Sequence, residues 1–242
     1  MKHQRLNFED YFTICSDNYN GIKTNLKLPI FKEIDYKSSP KKKRSNRILQ
    51  YCVRYDKERQ CIQVIFQQTA SLSDWKVNFN FKENIYDSFL WNGKIIQLKC
   101  HRGWKQMWLA GQDQIRKEIK FLLTKFPNSF IEIFGWSLGS GIAQLAAEDV
   151  YHYFKIKPYL YTFGSVKPFY GEESHLFFLQ CCQECYNFMN NNDIVTKMPP
   201  FKGWFAINPI KVSFNKTCLF RFLNPWKYHT CYDKPELYQN IE

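Results

Sequence analysis

Gly135-Trp136-Ser137-Leu138-Gly139 has the G-x-S-x-G spacing of a strand-to-helix turn that holds a serine hydroxyl out from the backbone. A serine hydroxyl is a poor nucleophile at neutral pH. It needs an imidazole to take its proton, and the imidazole needs a carboxylate to fix its tautomer and stabilise its cation. The first N–H groups of the helix that such a turn opens can receive a developing oxyanion. On elbows of this kind the chain order is serine, acid, histidine. Of the five histidines, only His152, His175 and His229 follow Ser137. His152 falls on the elbow helix itself, about 22 Å from the serine at ~1.5 Å rise per residue. His175 precedes the best acid candidate and starts a surface helix, which leaves His229 in Trp226-Lys227-Tyr228-His229-Thr230. The acid is sought where a strand ends in polar turn residues, at Asp193 within Met189–Pro200. Glu173, Glu184 and Asp233 stay open as alternatives.

The elements that must position these groups are legible around them. Phe130, Ile131, Ile133 and Phe134 make a short apolar strand ahead of the turn. Ile142, Leu145, Ala146 and Val150 recur at helical spacing after it, over Leu138–Phe154. Upstream, Gln50–Tyr55 and Cys61–Phe66 read as a hairpin around the charged turn Asp56-Lys57-Glu58-Arg59, and Ile95–Lys99 reads as a further strand. Trp108, Ile115, Ile119, Leu122 and Phe126 line one face of a long helix over 104–126 that Pro127 stops. Downstream, the pattern predicts a strand from Pro158 into Gly164, a helix over Glu172–Gln183 and a strand over Tyr186–Met189. A short helix is expected around Asn7–Asn18. Alternating strands and helices imply an α/β architecture, a mostly parallel sheet with helices on both faces in a single domain. Residues 1–48 read as an N-terminal extension packed on a domain spanning 49–242.

Composition narrows the classes of function. The 242 residues fit one domain, and 45% hydrophobic content supplies a sizeable core. No run approaches the length of a membrane span, and the first ten residues lack the apolar centre of a secretory leader, so a cytoplasm-like compartment is expected. Nine cysteines in no framework spacing point to reduced thiols, and the single C-x-x-C at Cys182–Cys185 has no companion pair for a metal. The formal charge of +12 comes mostly from lysines spread along the chain, and only Lys41-Lys42-Lys43-Arg44 forms a compact run. Without a nucleic-acid module, nucleic acid is not expected as a partner, whereas the basic surface would suit peripheral contact with anionic membrane. Oligomeric state and substrate identity are not encoded in these motifs.

Several blocks in one order resemble the class 3 (fungal-type) lipases. Val64-Ile65-Phe66-Gln67-Gln68-Thr69, followed by Ser73-Asp74-Trp75 and Asn78, is similar to that family's F-R-G-T/S segment with its downstream D-W. Cys100-His101-Arg102-Gly103-Trp104 is similar to V-H-x-G-F, Gly135–Gly141 to G-H-S-L-G-G, and Tyr161–Ser165 to T-F-G-S/A-P. Asn190–Pro200 resembles N-x-x-D-x-V-x-x-L-P-P and Tyr228-His229 the terminal Y-x-H or Y-H. The resemblance implies an α/β-hydrolase fold and hydrolysis of lipid or small carboxylic esters through an acyl-enzyme, with no metal or cofactor. By position it gives Ser137 as nucleophile, Asp193 as acid and His229 as base, with Leu138 and Thr69 as oxyanion donors. It also places Trp75, with Phe79, Phe81 and Phe89, near a lid over an apolar groove or else in the core. His101 is expected to be structural. Gln67-Gln68 departs from the usual Arg-Gly and restricts the backbone that must aim Thr69. That departure motivates an alternative reading as an inactive lipase-like scaffold. Trp136 and Ser140 replace His and Gly, with small effects expected.

Overall fold

The computed structural model describes residues 3–16, 26–36, 47–67, 82–212 and 225–238. Thr69, the aromatics Trp75, Phe79 and Phe81, and the Lys41–Arg44 run lie outside the described residues. A seven-stranded sheet holds the chain together. Its strands are β1 (Lys32–Tyr36), β2 (Arg47–Asp56), β3 (Cys61–Phe66), β6 (Phe130–Trp136), β7 (Tyr159–Phe163), β9 (Glu184–Asn190) and β11 (Pro209–Val212), in that spatial order. From β3 to β11 every neighbour pair is parallel, while β2 joins β3 antiparallel through the expected hairpin and β1 pairs antiparallel with β2 at the edge. A four-stranded antiparallel sheet lies beside it, in the order β10 (Trp204–Phe205), β8 (Phe169–Tyr170), β5 (Lys94–His101) and β4 (Glu83–Trp91).

The predicted helices form with small shifts at their ends: α1 (Phe8–Ser16), α2 (Arg102–Lys125), α3 (Leu138–Phe154) and α4 (Glu172–Leu179), followed by a short α5 (Pro225–His229). α4 stops earlier than its pattern suggests, because the Gln180 and Cys181 N–H groups bond the Phe177 and Phe178 carbonyls in a tightened final turn. His101 caps α2, its Nδ1 accepting from the Gly103 and Trp104 N–H groups at 3.1 and 3.4 Å. It is the structural histidine that was expected.

Period-two alternation in the central strands makes two cores. Ile131 and Ile133 of β6 and Leu160 of β7 face α2, α3 and α4. Phe134 and Trp136, with Tyr161 and Phe163, face the opposite side. There α1 lays down Phe8, Tyr11, Phe12 and Cys15, spaced i, i+3, i+4 and i+7, and residues Tyr232, Leu237 and Tyr238 complete the cluster. Phe89 of β4, one of the aromatics proposed for a lid or the core, stacks on His152 at 4.2 Å and Phe177 at 4.9 Å.

Glu132 also points to the α1 face, fully buried near the start of β6. It accepts from His3 Nε2 at 2.8 Å, Tyr11 Oη at 3.1 Å, Gln63 Nε2 at 3.1 Å and both terminal nitrogens of Arg59. Burial alone would raise its pKa, but the hydrogen bonds from His3 and Arg59 and the guanidinium charge prevail and hold it at about 2. Since the folded pKa lies below the unfolded one, this stabilisation is present above pH ~4.5 and is lost as pH falls through ~2. Glu132→Gln strips a buried guanidinium of its main partner. Urea denaturation at neutral pH is expected to show a loss of about 3–5 kcal/mol, and the variant should lack part of the parent's acid sensitivity.

Candidate active site

Ser137 sits where β6 ends and α3 begins, with φ 57° and ψ −126°, a conformation a non-glycine residue holds only under constraint. The constraint is close packing on both sides. A Cβ on Gly135 would lie 2.5 Å from the Gly139 carbonyl oxygen, and one on Gly139 would lie 2.6 Å from that of Phe66. Only glycine allows strand, helix and the end of β3 to meet so tightly. Ser137 N–H donates to the Phe163 carbonyl at 3.0 Å, tying the turn to the end of β7. Ser140 Oγ donates to the Ser137 carbonyl and accepts from Val166 N–H at 3.3 Å, so the serine that replaces glycine here adds a second tie. Leu138 is the first residue of α3, with its N–H at the positive end of a 17-residue helix.

Asp193 and His229 come together from separate segments. His229 Nδ1 and Asp193 Oδ2 are 2.8 Å apart, and both side chains are fully buried. Asp193 is oriented by three further bonds. Its Oδ1 accepts from Val195 N–H at 2.9 Å, its Oδ2 accepts from Tyr232 Oη at 2.9 Å, and its carbonyl accepts from Thr196 Oγ1 at 2.8 Å. Tyr232 in turn accepts from Asn190 N–H at 3.0 Å. Burial, and then the Asp193 charge, push the Tyr232 phenol well above its ordinary range, so it stays a donor. With a carboxylate accepting at Nδ1, the imidazole carries its proton there and leaves Nε2 to accept another.

This pair lies against Gly164, the residue after Phe163, whose carbonyl receives the Ser137 N–H. A Cβ on Gly164 would fall 2.9 Å from His229 Cε1 and 3.0 Å from Asp193 Oδ2, and the residue has φ +53°. Trp136, next to the serine, donates from Nε1 to the His229 carbonyl at 3.2 Å. Of the five residues expected at the site, Ser137, Leu138, Asp193 and His229 therefore gather at the C-terminal ends of β6, β7 and β9. The fifth, Thr69, lies outside the described residues. Of the other acids weighed, Asp233 directly follows Tyr232, but it is Asp193 that meets His229 Nδ1; the remaining acids and histidines lie elsewhere. His152 pairs with Glu148 at 2.6 Å in the last turns of α3, His175 and Glu173 sit in α4, and Glu184 opens β9. Sequence reasoning passed over Tyr232. Its signal was its position three residues beyond His229, in the turn that follows α5. Among the described residues no group of three or more His, Cys, Asp or Glu side chains could hold a metal ion.

The parallel sheet, the helices on both faces and the serine elbow define an α/β-hydrolase fold. Residues 63–203, more than half of the chain, match the family Lipase (class 3), and the chain belongs to that family. It is 25% identical over 155 residues to proteins named secreted mono- and diacylglycerol lipase A from Penicillium cyclopium and Penicillium camembertii, covering 64% of this chain and 48% of each relative. It thus spans about half the length of the curated relatives it matches. A crystal structure of a mutant form of MDLA from Penicillium cyclopium superposes with TM-score 0.58 at 22% identity, over 75% of this chain and 63% of that one. A Rhizomucor miehei lipase in complex with its propeptide gives TM-score 0.60 at 20% identity, over 69% of this chain and 52% of that one. At such identities these structures speak to the fold alone.

The names of the Penicillium relatives overturn the expected cytoplasm-like compartment, since both are called secreted. That expectation rested on the apolar content of the first ten residues, and the start of a chain matching half of its relatives does not report on export. Among the described residues no helix is long and apolar enough to cross a membrane.

Proposed function

We propose that the chain is a serine carboxylic-ester hydrolase acting on lipid esters through an acyl-enzyme. Ser137 Oγ attacks the ester carbonyl, His229 Nε2 takes its proton and returns it to the leaving alcohol, and water repeats the cycle on the acyl group. Asp193 holds the imidazole and offsets its charge. Leu138 N–H, with Thr69, receives the oxyanion at the start of α3. The observation that carries this reading is the buried 2.8 Å contact of His229 with Asp193, lying against the glycine that follows the serine's own backbone partner. The names of the Penicillium relatives favour mono- and diacylglycerols as substrates and a location outside the cell. The +12 formal charge favours contact with anionic lipid surfaces. Residues 1–48 are read as an extension packed on the lipase-like part 49–242, a reading supported by the burial of α1 against the sheet, with β1 and the start of β2 continuing from it into the sheet's edge. The inactive-scaffold alternative rests on Gln67-Gln68 alone, and nothing among the described residues adds to it.

A panel of nitrophenyl esters of increasing chain length, run beside mono- and diacylglycerols, tests the reading. Turnover is expected, with labelling by a fluorophosphonate probe. A folded protein that is inert on every ester and takes up no probe would overturn it.

A further inference from the structure

Phe12 of α1 touches three aromatic rings, each one bond or one residue from a different part of the site. Its centroid is 5.2 Å from that of Trp136, 5.3 Å from that of Phe163 and 5.9 Å from that of Tyr232. Trp136 precedes Ser137, the Phe163 carbonyl accepts the Ser137 N–H, and the Tyr232 hydroxyl donates to Asp193. Of these, Trp136 has the most direct link to the base. It is fully buried, its indole N–H bonds the His229 carbonyl at 3.2 Å, and its ring lies 5.7 Å from the imidazole. An indole reaches this carbonyl from the last residue of β6, so nucleophile and base share one rigid support.

We propose that Trp136 is a positioning residue for His229, clamped from below by Phe12 of the N-terminal helix. This inference rests on the hydrolase reading above and deepens it. The Nδ1 bond ties the imidazole to Asp193, but by itself it fixes only one end of the ring and not the backbone that carries it. The Trp136 bond to the His229 carbonyl holds that backbone, and the distance from Nε2 to the adjacent serine is thereby set by one side chain and one peptide unit. Phe12 meets Trp136 edge-on at 74° and keeps the indole from rotating away. The N-terminal segment is then a support of the catalytic geometry as well as of the core.

Trp136→Phe keeps a buried ring and removes the donor, and Phe12→Leu keeps bulk and removes the edge contact. Phe8→Leu is the control, because Phe8 packs on Tyr186, Phe188 and Tyr238 and on none of the rings next to the site. All three are assayed well below their melting temperatures, with circular dichroism confirming the fold. Expected for Trp136→Phe is a fall in kcat of about tenfold to a hundredfold with KM within about twofold, and a matching slowing of fluorophosphonate labelling that still reaches every molecule. Phe12→Leu should follow in the same direction by a smaller factor, while Phe8→Leu lowers the melting temperature alone. Should Trp136→Phe fail to fold, Phe12→Leu against Phe8→Leu carries the test. If folded Trp136→Phe turns over and labels at the parent's rate, or if Phe12→Leu and Phe8→Leu prove indistinguishable in kcat, the positioning role is overturned and the hydrolase reading stands. A parent inert on all esters and unlabelled would overturn both.

Discussion

Ser137→Ala is expected to leave a folded protein whose ester turnover falls by on the order of 10⁶-fold and whose fluorophosphonate labelling disappears. The size of the effect follows from what the hydroxyl does: without it no acyl-enzyme forms, and binding and oxyanion contacts alone give only weak catalysis. The fold should survive, since alanine keeps the Cβ and Ser137 makes its backbone bond to Phe163 through N–H. A residual rate near the parent's would remove Ser137 from the mechanism. Stability is not expected to fall with activity. The serine occupies φ 57° whichever small side chain it carries, and alanine meets the same strain.

Asp193→Asn is expected to lower kcat by about 10⁴-fold with little change in KM. An amide can present its NH₂ to His229 Nδ1, which favours the tautomer with its proton on Nε2, where it cannot accept from serine. The same substitution disturbs the Tyr232 bond to Oδ2, so Tyr232→Phe measures that part by itself. It removes one of two donors on Oδ2 and strands the Asn190 N–H, and a loss of about 1–3 kcal/mol in stability with a several-fold fall in kcat is expected. Steady-state kinetics on one soluble ester, together with urea denaturation of both variants, separates the two contributions. If Asp193→Asn retains parental kcat, the acid must be sought elsewhere.

Much of this arrangement could be read from local patterns. The elbow announces itself because glycine at 135 answers a packing demand only a few residues away, at Gly139 and Ser140, although Gly139 answers one from the distant end of β3. α2 and α3 follow from helical spacing, and β3, β6 and β7 from short apolar runs ended by turn residues. Chain order and the reach of a helix were enough to select His229. What local patterns could not show are the contacts made across the sheet. Glu132 looks like a polar interruption in an apolar strand, and its partner His3 lies 129 residues away in sequence. Trp136, expected to matter little, gains its role from a carbonyl that arrives 93 residues later. The antiparallel side sheet was also only partly legible. β4 alternates between exposed and half-buried residues, and β8 and β10 have two residues each, too short for any periodic signal.

The alternation of β6 carries a further implication. Glu132, Phe134 and Trp136 share one face, so the ionic anchor at the strand's foot and the indole beneath its tip are separated by two full pleats. The four-residue spacing behind it has to stay even. A one-residue insertion or deletion between positions 132 and 136 would turn either the carboxylate or the indole toward the helices on the opposite side. The stretch can therefore exchange side chains over evolutionary time, but it can change length only in steps of two.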